Sequence, residues 1–176
     1  MLRTILIYGV IAGLIVGIPM SVMTVAANPT PPAWGMVVGY LIMLVGLSAV
    51  FVAIKRYRDI DGGGVIRFWP ALGLGLGISV IAGILYVVAW EIAQAMAHLD
   101  FGSAYAKSMV ESQRAKGVTG AALAKIVADA EAFRIQYANP LYRWPMTFVE
   151  IFPVGVLVSL VSAGLLCNSR FLPARR

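Results

Sequence analysis

Uncharged apolar stretches alternate with short polar breaks along this chain, and that pattern sets most of what can be read from it. From Thr4 to Ile54 no residue is charged, and the run is broken once, by the turn-forming NPTPP at 28–32. This predicts one helical span over about 4–27 and a second over about 34–54. Residues 69–90 form a third uncharged run, with a helical pattern continuing to Ala97, and 146–168 form a fourth, interrupted only by Glu150. Each run meets the roughly 20 residues that a helix needs to cross the hydrocarbon layer. Pro19 and Pro153 fall inside the first and fourth spans and predict local kinks, because proline removes an intrahelical hydrogen bond.

Between the third and fourth spans, residues 98–145 change to a mixed pattern with helical spacing. Asp100 is placed to cap a helix carrying Phe101, Tyr105 and Met109 on one stripe. Gly117 is a break, and Thr119 is placed to cap a second helix with Leu123, Ile126, Val127, Ala130, Phe133 and Tyr137 along one side. Asn139-Pro140 ends that helix, and Pro145 opens the last span. Two short helices with facing stripes can bury each other as a hairpin over the span ends. The alternatives are that the stripes lie in the membrane interface or bind a partner.

Composition agrees with the pattern. Hydrophobic residues make up 60% of the chain, charged residues 12%, and the mean hydropathy is +0.86; an ordinary globular domain carries about 25% charge. The expected fold is all-α: a single membrane domain over 1–176 with four transmembrane helices and an extracytoplasmic helical hairpin. The first segment also resembles a secretory signal, since Arg3 precedes the apolar run and VAA at 25–27 resembles a cleavage site. Its core exceeds the usual 7–15 residues and further spans follow, which favours a retained anchor.

The net charge of +6 is read here as orientation, since no nucleic-acid-binding module accompanies it. Arg3, then Lys55, Arg56, Arg58 and Arg67, then Arg170, Arg175 and Arg176 fall on one side of a four-span topology, whereas the 28–33 loop opposite has no basic residue. Both termini are therefore expected in the cytoplasm. Trp34, Trp69, Trp90 and Trp144 all fall near span ends, where an amphipathic ring prefers the headgroup layer. Small residues recur every four positions at Gly9, Gly13 and Gly17, at Gly35 and Gly39, and at Gly73 and Gly77. Such stripes allow close helix approach, either within the bundle or between subunits.

The chemistry-bearing residues are few. Cys167 is the sole cysteine and His98 the sole histidine, so an intrachain disulfide, a cysteine metal cluster and a multi-histidine site are excluded within one chain. The GGG at 62–64 lacks the Lys-Ser/Thr of a phosphate loop, and no nucleophile elbow is present. Neither an enzymatic activity nor a cofactor is expected.

Two carboxylates lie in spans, where they are costly and usually turn inward or pair. Glu91 stands 22 residues above Trp69 and Glu150 stands 18 above Asn168 in the antiparallel fourth span. At about 1.5 Å per residue, both lie roughly 27–33 Å above the inner boundary. Three readings follow. Each carboxylate is held at the interface by Tyr or Trp groups or by a base such as Arg143. Alternatively, the two share a polar or solute site, with His98 two turns beyond Glu91 as a third member. In the third reading they recognise another membrane protein.

One local signature remains: Tyr57-Arg58-Asp59, then Gly63-Gly64, Ile66, Phe68, Ala71 and Gly75, preceded by a glycine-rich second span. It resembles the bacterial membrane family called domain of unknown function 4199, over nearly the whole chain and most strongly across 39–91. The resemblance implies a four-span bacterial inner-membrane protein. It carries no activity and no role for the motif residues; Arg58 and Asp59 are expected to anchor the connector at the lipid surface and to form partly exposed pairs with neighbouring loop groups. The leading expectation is a structural, assembly or accessory protein in contact with membrane lipids, self-associating or bound to another membrane protein. The alternative is a small transporter or cation-coupled permease using Glu91 and Glu150.

Overall fold

A computed structural model describes residues 1–26 and 35–173. The NPTPP turn, the end of the VAA triplet, Trp34, Arg175 and Arg176 lie outside the described residues. The described chain is all-helical: α1 (Leu2–Ala26), α2 (Gly35–Ile60), α3 (Phe68–Ala97), α4 (Phe101–Ala115), α5 (Gly120–Tyr137) and α6 (Pro140–Leu166). The helices α1, α2, α3 and α6 are long and apolar enough to cross a membrane. They run up and down in turn, so Leu2 and Leu166 lie at one face of the bundle and α4–α5 at the other.

Two helix ends differ from the sequence expectation. The helix α2 continues past Ile54 to Ile60, because Lys55 and Asp59 form an i,i+4 ion pair along that extra turn and a half. At the other end, Asn139-Pro140 starts a helix: the Asn139 side chain accepts from Leu141 N–H at 3.0 Å, and Pro140 takes the first turn, where its missing N–H costs nothing. Pro145 therefore sits inside α6 with Pro153 and does not open it.

The glycines set how closely the long helices approach. A Cβ on Gly9, Gly13 or Gly17 of α1 would lie 2.6–2.8 Å from Ile81, Leu85 and Ala89 of α3 respectively. The matching steps of four show two parallel helices in register, so this glycine stripe packs inside the bundle. Where α3 crosses the antiparallel α6, the contact is reciprocal. A Cβ on Gly75 would lie 2.7 Å from Ser159 Oγ, and one on Gly155 would lie 2.6 Å from Ser79 Cβ. Both serine hydroxyls are satisfied by their own helices, Ser79 donating to Gly75 O at 2.9 Å and Ser159 to Gly155 O at 2.7 Å. The surrounding core is aliphatic, with Val16, Leu47, Val50, Leu74, Ile78, Ile151 and Leu166 buried. The outward faces are equally apolar, for example Leu6, Val10, Leu14 and Ile18 along α1 and Val37, Leu41 and Val45 along α2. A surface of that kind is solvated by lipid.

The hairpin α4–α5 closes on an aromatic cluster. Phe101 and Tyr105 of α4 meet Phe133 and Tyr137 of α5, and Trp90 of α3 joins edge-on to Phe101 at 5.2 Å. Ala106 and Ala130 are buried between the two helices, whereas Val127 faces outward. Asp100 caps α4, its carboxylate accepting from Ser103 N–H at 3.0 Å and from the Ser103 hydroxyl. Thr119 stands at the N-cap of α5 without a side-chain capping bond.

Those Ser103 bonds hold the Asp100 carboxyl below the ordinary aspartate range. The cap contributes stability above the unfolded value and loses it as pH falls below about 4. Asp100→Ala is expected to cost the hairpin about 1 kcal/mol. Hydrogen exchange of the α4 amides at neutral pH checks this, with the difference between variant and wild type closing in acid.

Candidate polar site at the hairpin face

The polar groups of the hairpin face gather where α3 ends and α6 begins. Arg143, one turn into α6, reaches across to Glu91 near the end of α3. Its Nε donates to Oε1 at 2.7 Å and its Nη2 to Oε2 at 2.6 Å, so both carboxylate oxygens are engaged in a two-pronged pair. The third guanidinium nitrogen donates to Tyr137 O at 3.2 Å, and the group lies 5.7 Å from the Tyr137 ring centroid, within cation–π range. Tyr137 in turn accepts from Trp90 Nε1 at 2.8 Å, and burial raises its phenol above the ordinary tyrosine value. The Glu91–Arg143 pair thus ties α3, the end of α5 and α6 together. An open hollow of about 250 Å³ lies beside it, lined by Glu91, Gln94, Ala95, Leu99 and Arg143.

Glu150 takes a different partner. Its Oε2 accepts from the Tyr86 hydroxyl at 3.3 Å, while Tyr86 itself is almost fully buried in α3. Tyr86 precedes Glu91 by five residues and Glu150 follows Arg143 by seven. The Glu150–Tyr86 contact therefore lies roughly 7–10 Å deeper in the bundle than the Glu91–Arg143 pair, at 1.5 Å per residue. The Glu150 residue is exposed on the outer surface of the bundle. His98 is exposed as well; it ends α3 in a left-handed conformation, φ +48°, and makes no side-chain hydrogen bond to either glutamate among the described residues. No group of His, Cys, Asp and Glu suited to a metal ion occurs among the described residues.

Tyr86 and Tyr137 complete these contacts and were not singled out as polar partners by sequence reasoning. The available signal was a tyrosine hydroxyl within an apolar helical stripe at the depth of a span carboxylate.

The terminal face holds the motif residues. Arg58 is fully buried, which departs from the partly exposed pairing expected from sequence. Its Nε donates to Asp59 Oδ1 at 2.8 Å, and Lys55 donates to the other Asp59 oxygen. The remaining nitrogens donate to the carbonyls of Leu166, Phe171 at 2.9 Å and Leu172. Leu166 O is among the last carbonyls of α6, which have no partner within the helix. Arg58 therefore caps α6 from across the bundle and gathers the residues that follow, and Phe171 settles edge-on against Phe51 at 6.5 Å. Beyond Arg58 the chain turns sharply: Gly64 N–H donates to Arg58 O at 2.9 Å, and Gly63 and Gly64 take φ of +60° and +91°. Tyr57 is partly buried against the core, and its carbonyl accepts from the Asp61 and Gly62 amides.

Four apolar bundle helices with lipid-suited outer faces, a capping hairpin and internally paired charges define a multi-span membrane protein. The family model described as "Protein of unknown function (DUF4199)" matches residues 7–168, and the chain belongs to that family. No curated protein matched the chain, and no solved structure matched it.

Proposed function

We propose that this is a non-enzymatic protein of the bacterial inner membrane with a structural, assembly or accessory role and both termini in the cytoplasm. The observation that carries this reading is the two-pronged Glu91–Arg143 pair, which occupies both oxygens of the span carboxylate best placed for a solute. A carboxylate engaged in that way holds helices together; releasing it to a cation would leave the Arg143 charge unpaired at the membrane surface. Glu150 supports the same reading from the other direction, because it stands on the outer surface of the bundle, where a neighbouring helix can meet it. The orientation rests on the basic residues of the terminal face, Arg3, Lys55, Arg56, Arg58, Arg67 and Arg170.

Neutralising both carboxylates separates this reading from transport. The Glu91→Gln/Glu150→Gln protein is expected to show altered membrane level or assembly, read by quantitative blotting and native gels, with unchanged cation flux in proteoliposomes. Cation flux that is present in the wild type and abolished in the double variant, with its assembly intact, would establish the permease reading instead.

A further inference from the structure

An apolar hollow opens at the terminal face between the α2–α3 turn and the end of α6. It measures about 530 Å³ and is lined by Val65, Ile66, Arg67, Phe68 and Cys167. The hollow is open to the surface, and its walls are mainly hydrocarbon with one cation at the edge. Trp69 follows directly, packed edge-on against Phe68 at 5.5 Å and 77% exposed. An exposed indole at a span end marks headgroup depth. The hollow therefore lies where acyl chains meet headgroups.

Charge on the terminal face as a whole is unbalanced. Lys55 and Arg58 are tied to Asp59, whereas Arg3, Arg56, Arg67 and Arg170 have no ion-pair partner among the described residues. Asp61 is the one other acid on this face. A guanidinium is suited to phosphate, and an uncompensated basic face favours a phosphodiester whose negative charge is not balanced by a cationic headgroup. We propose that this hollow binds an anionic phospholipid, with its acyl chain against Val65, Ile66 and Phe68 and its phosphate on the Arg67 guanidinium. The complementarity has two parts, apolar wall to chain and cation to phosphate, and a lipid supplies both from one molecule.

Cys167 lines the hollow and is the sole cysteine, so its reactivity reports occupancy. The purified protein is placed in nanodiscs of phosphatidylcholine alone or with phosphatidylglycerol, and labelling by an uncharged polyethylene-glycol maleimide is timed. Phosphatidylglycerol is expected to slow labelling about fivefold, the worth of one cation near an anionic surface. Arg67→Gln is expected to remove the slowing, Arg67→Lys to keep part of it, and Lys125→Gln on the hairpin to keep all of it. Inorganic phosphate added to the phosphatidylcholine discs is expected to give no protection. Equal rates in both discs for the wild type, or undiminished protection in Arg67→Gln, would overturn the proposal. Protection by inorganic phosphate equal to that by phosphatidylglycerol would also overturn it, assigning Arg67 to a free anion. Lipid counts by native mass spectrometry give an independent reading, in which wild type retains phosphatidylglycerol over phosphatidylcholine and Arg67→Gln does not.

Discussion

Arg58→Gln is expected to cost the bundle about 3 kcal/mol, the lower end of what is lost when one member of a buried charged network is removed. The wild-type guanidinium satisfies Asp59 and the carbonyls of Leu166, Phe171 and Leu172 from a fully buried position. A glutamine amide offers two N–H donors in place of five and does not reach the same set, so the buried Leu166 carbonyl is left unpaired at about 1–3 kcal/mol and Asp59 loses its buried partner. Lysine is a poor substitute for the same reason, since one ammonium cannot span acceptors arranged around a planar fork. Unfolding of the purified protein in mixed micelles, followed by circular dichroism during titration with dodecyl sulfate, measures the loss. Faster maleimide labelling of Cys167, adjacent to the released segment, is the expected local sign. A variant as stable as the wild type would show that the Arg58 network contributes little.

The second large effect is expected at the α3–α6 crossing. Gly155→Ala places a methyl group 2.6 Å from Ser79 Cβ, a contact that only helix displacement relieves, at a cost of about 2 kcal/mol. Ser79 is on a helix whose other flank is fixed against α1 by Gly9, Gly13 and Gly17, so it has little room to yield. Removing the opposing side chain is expected to restore part of the loss. In the Gly155→Ala/Ser79→Gly protein the two effects should fall short of their sum by about 1 kcal/mol, as for contacting residues. Strict additivity in the same titration would mean that the helices separate without strain.

The spans were legible because each is a run with almost no charge, a signal that survives any uncertainty about packing. The hairpin was legible for a related reason: Phe101 and Tyr105 on one segment and Phe133 and Tyr137 on the next predicted facing stripes, and these rings meet. Helix ends were harder to place. Lys55 to Ile60 reads as a cytoplasmic loop by charge, yet it remains helical because its charges pair along the helix. Asn139-Pro140 reads as a stop, yet the same two residues make a good helix start, and local pattern cannot choose between them.

The polar contacts divide in the same way. Glu91 and Glu150 stood out because each interrupts an apolar segment. Arg143 was legible as a candidate base, but its pairing with Glu91 and that of Tyr86 with Glu150 were not, since 52 residues separate the first pair and 64 the second. Arg58 was the least legible of all. A guanidinium in a loop-like motif reads as solvated, and its burial depends on Leu166–Leu172, more than 100 residues later.

The central claim is that the two span carboxylates serve separate contacts and do not form one site. The most direct measurement is the stability of Glu91→Gln, Glu150→Gln and the double variant in the same micelle titration. Separate contacts require the two effects to add within about 0.5 kcal/mol. Carboxylates sharing a proton or a cation would instead be coupled, each neutralisation relieving the other, and a coupling above about 1 kcal/mol would contradict the account.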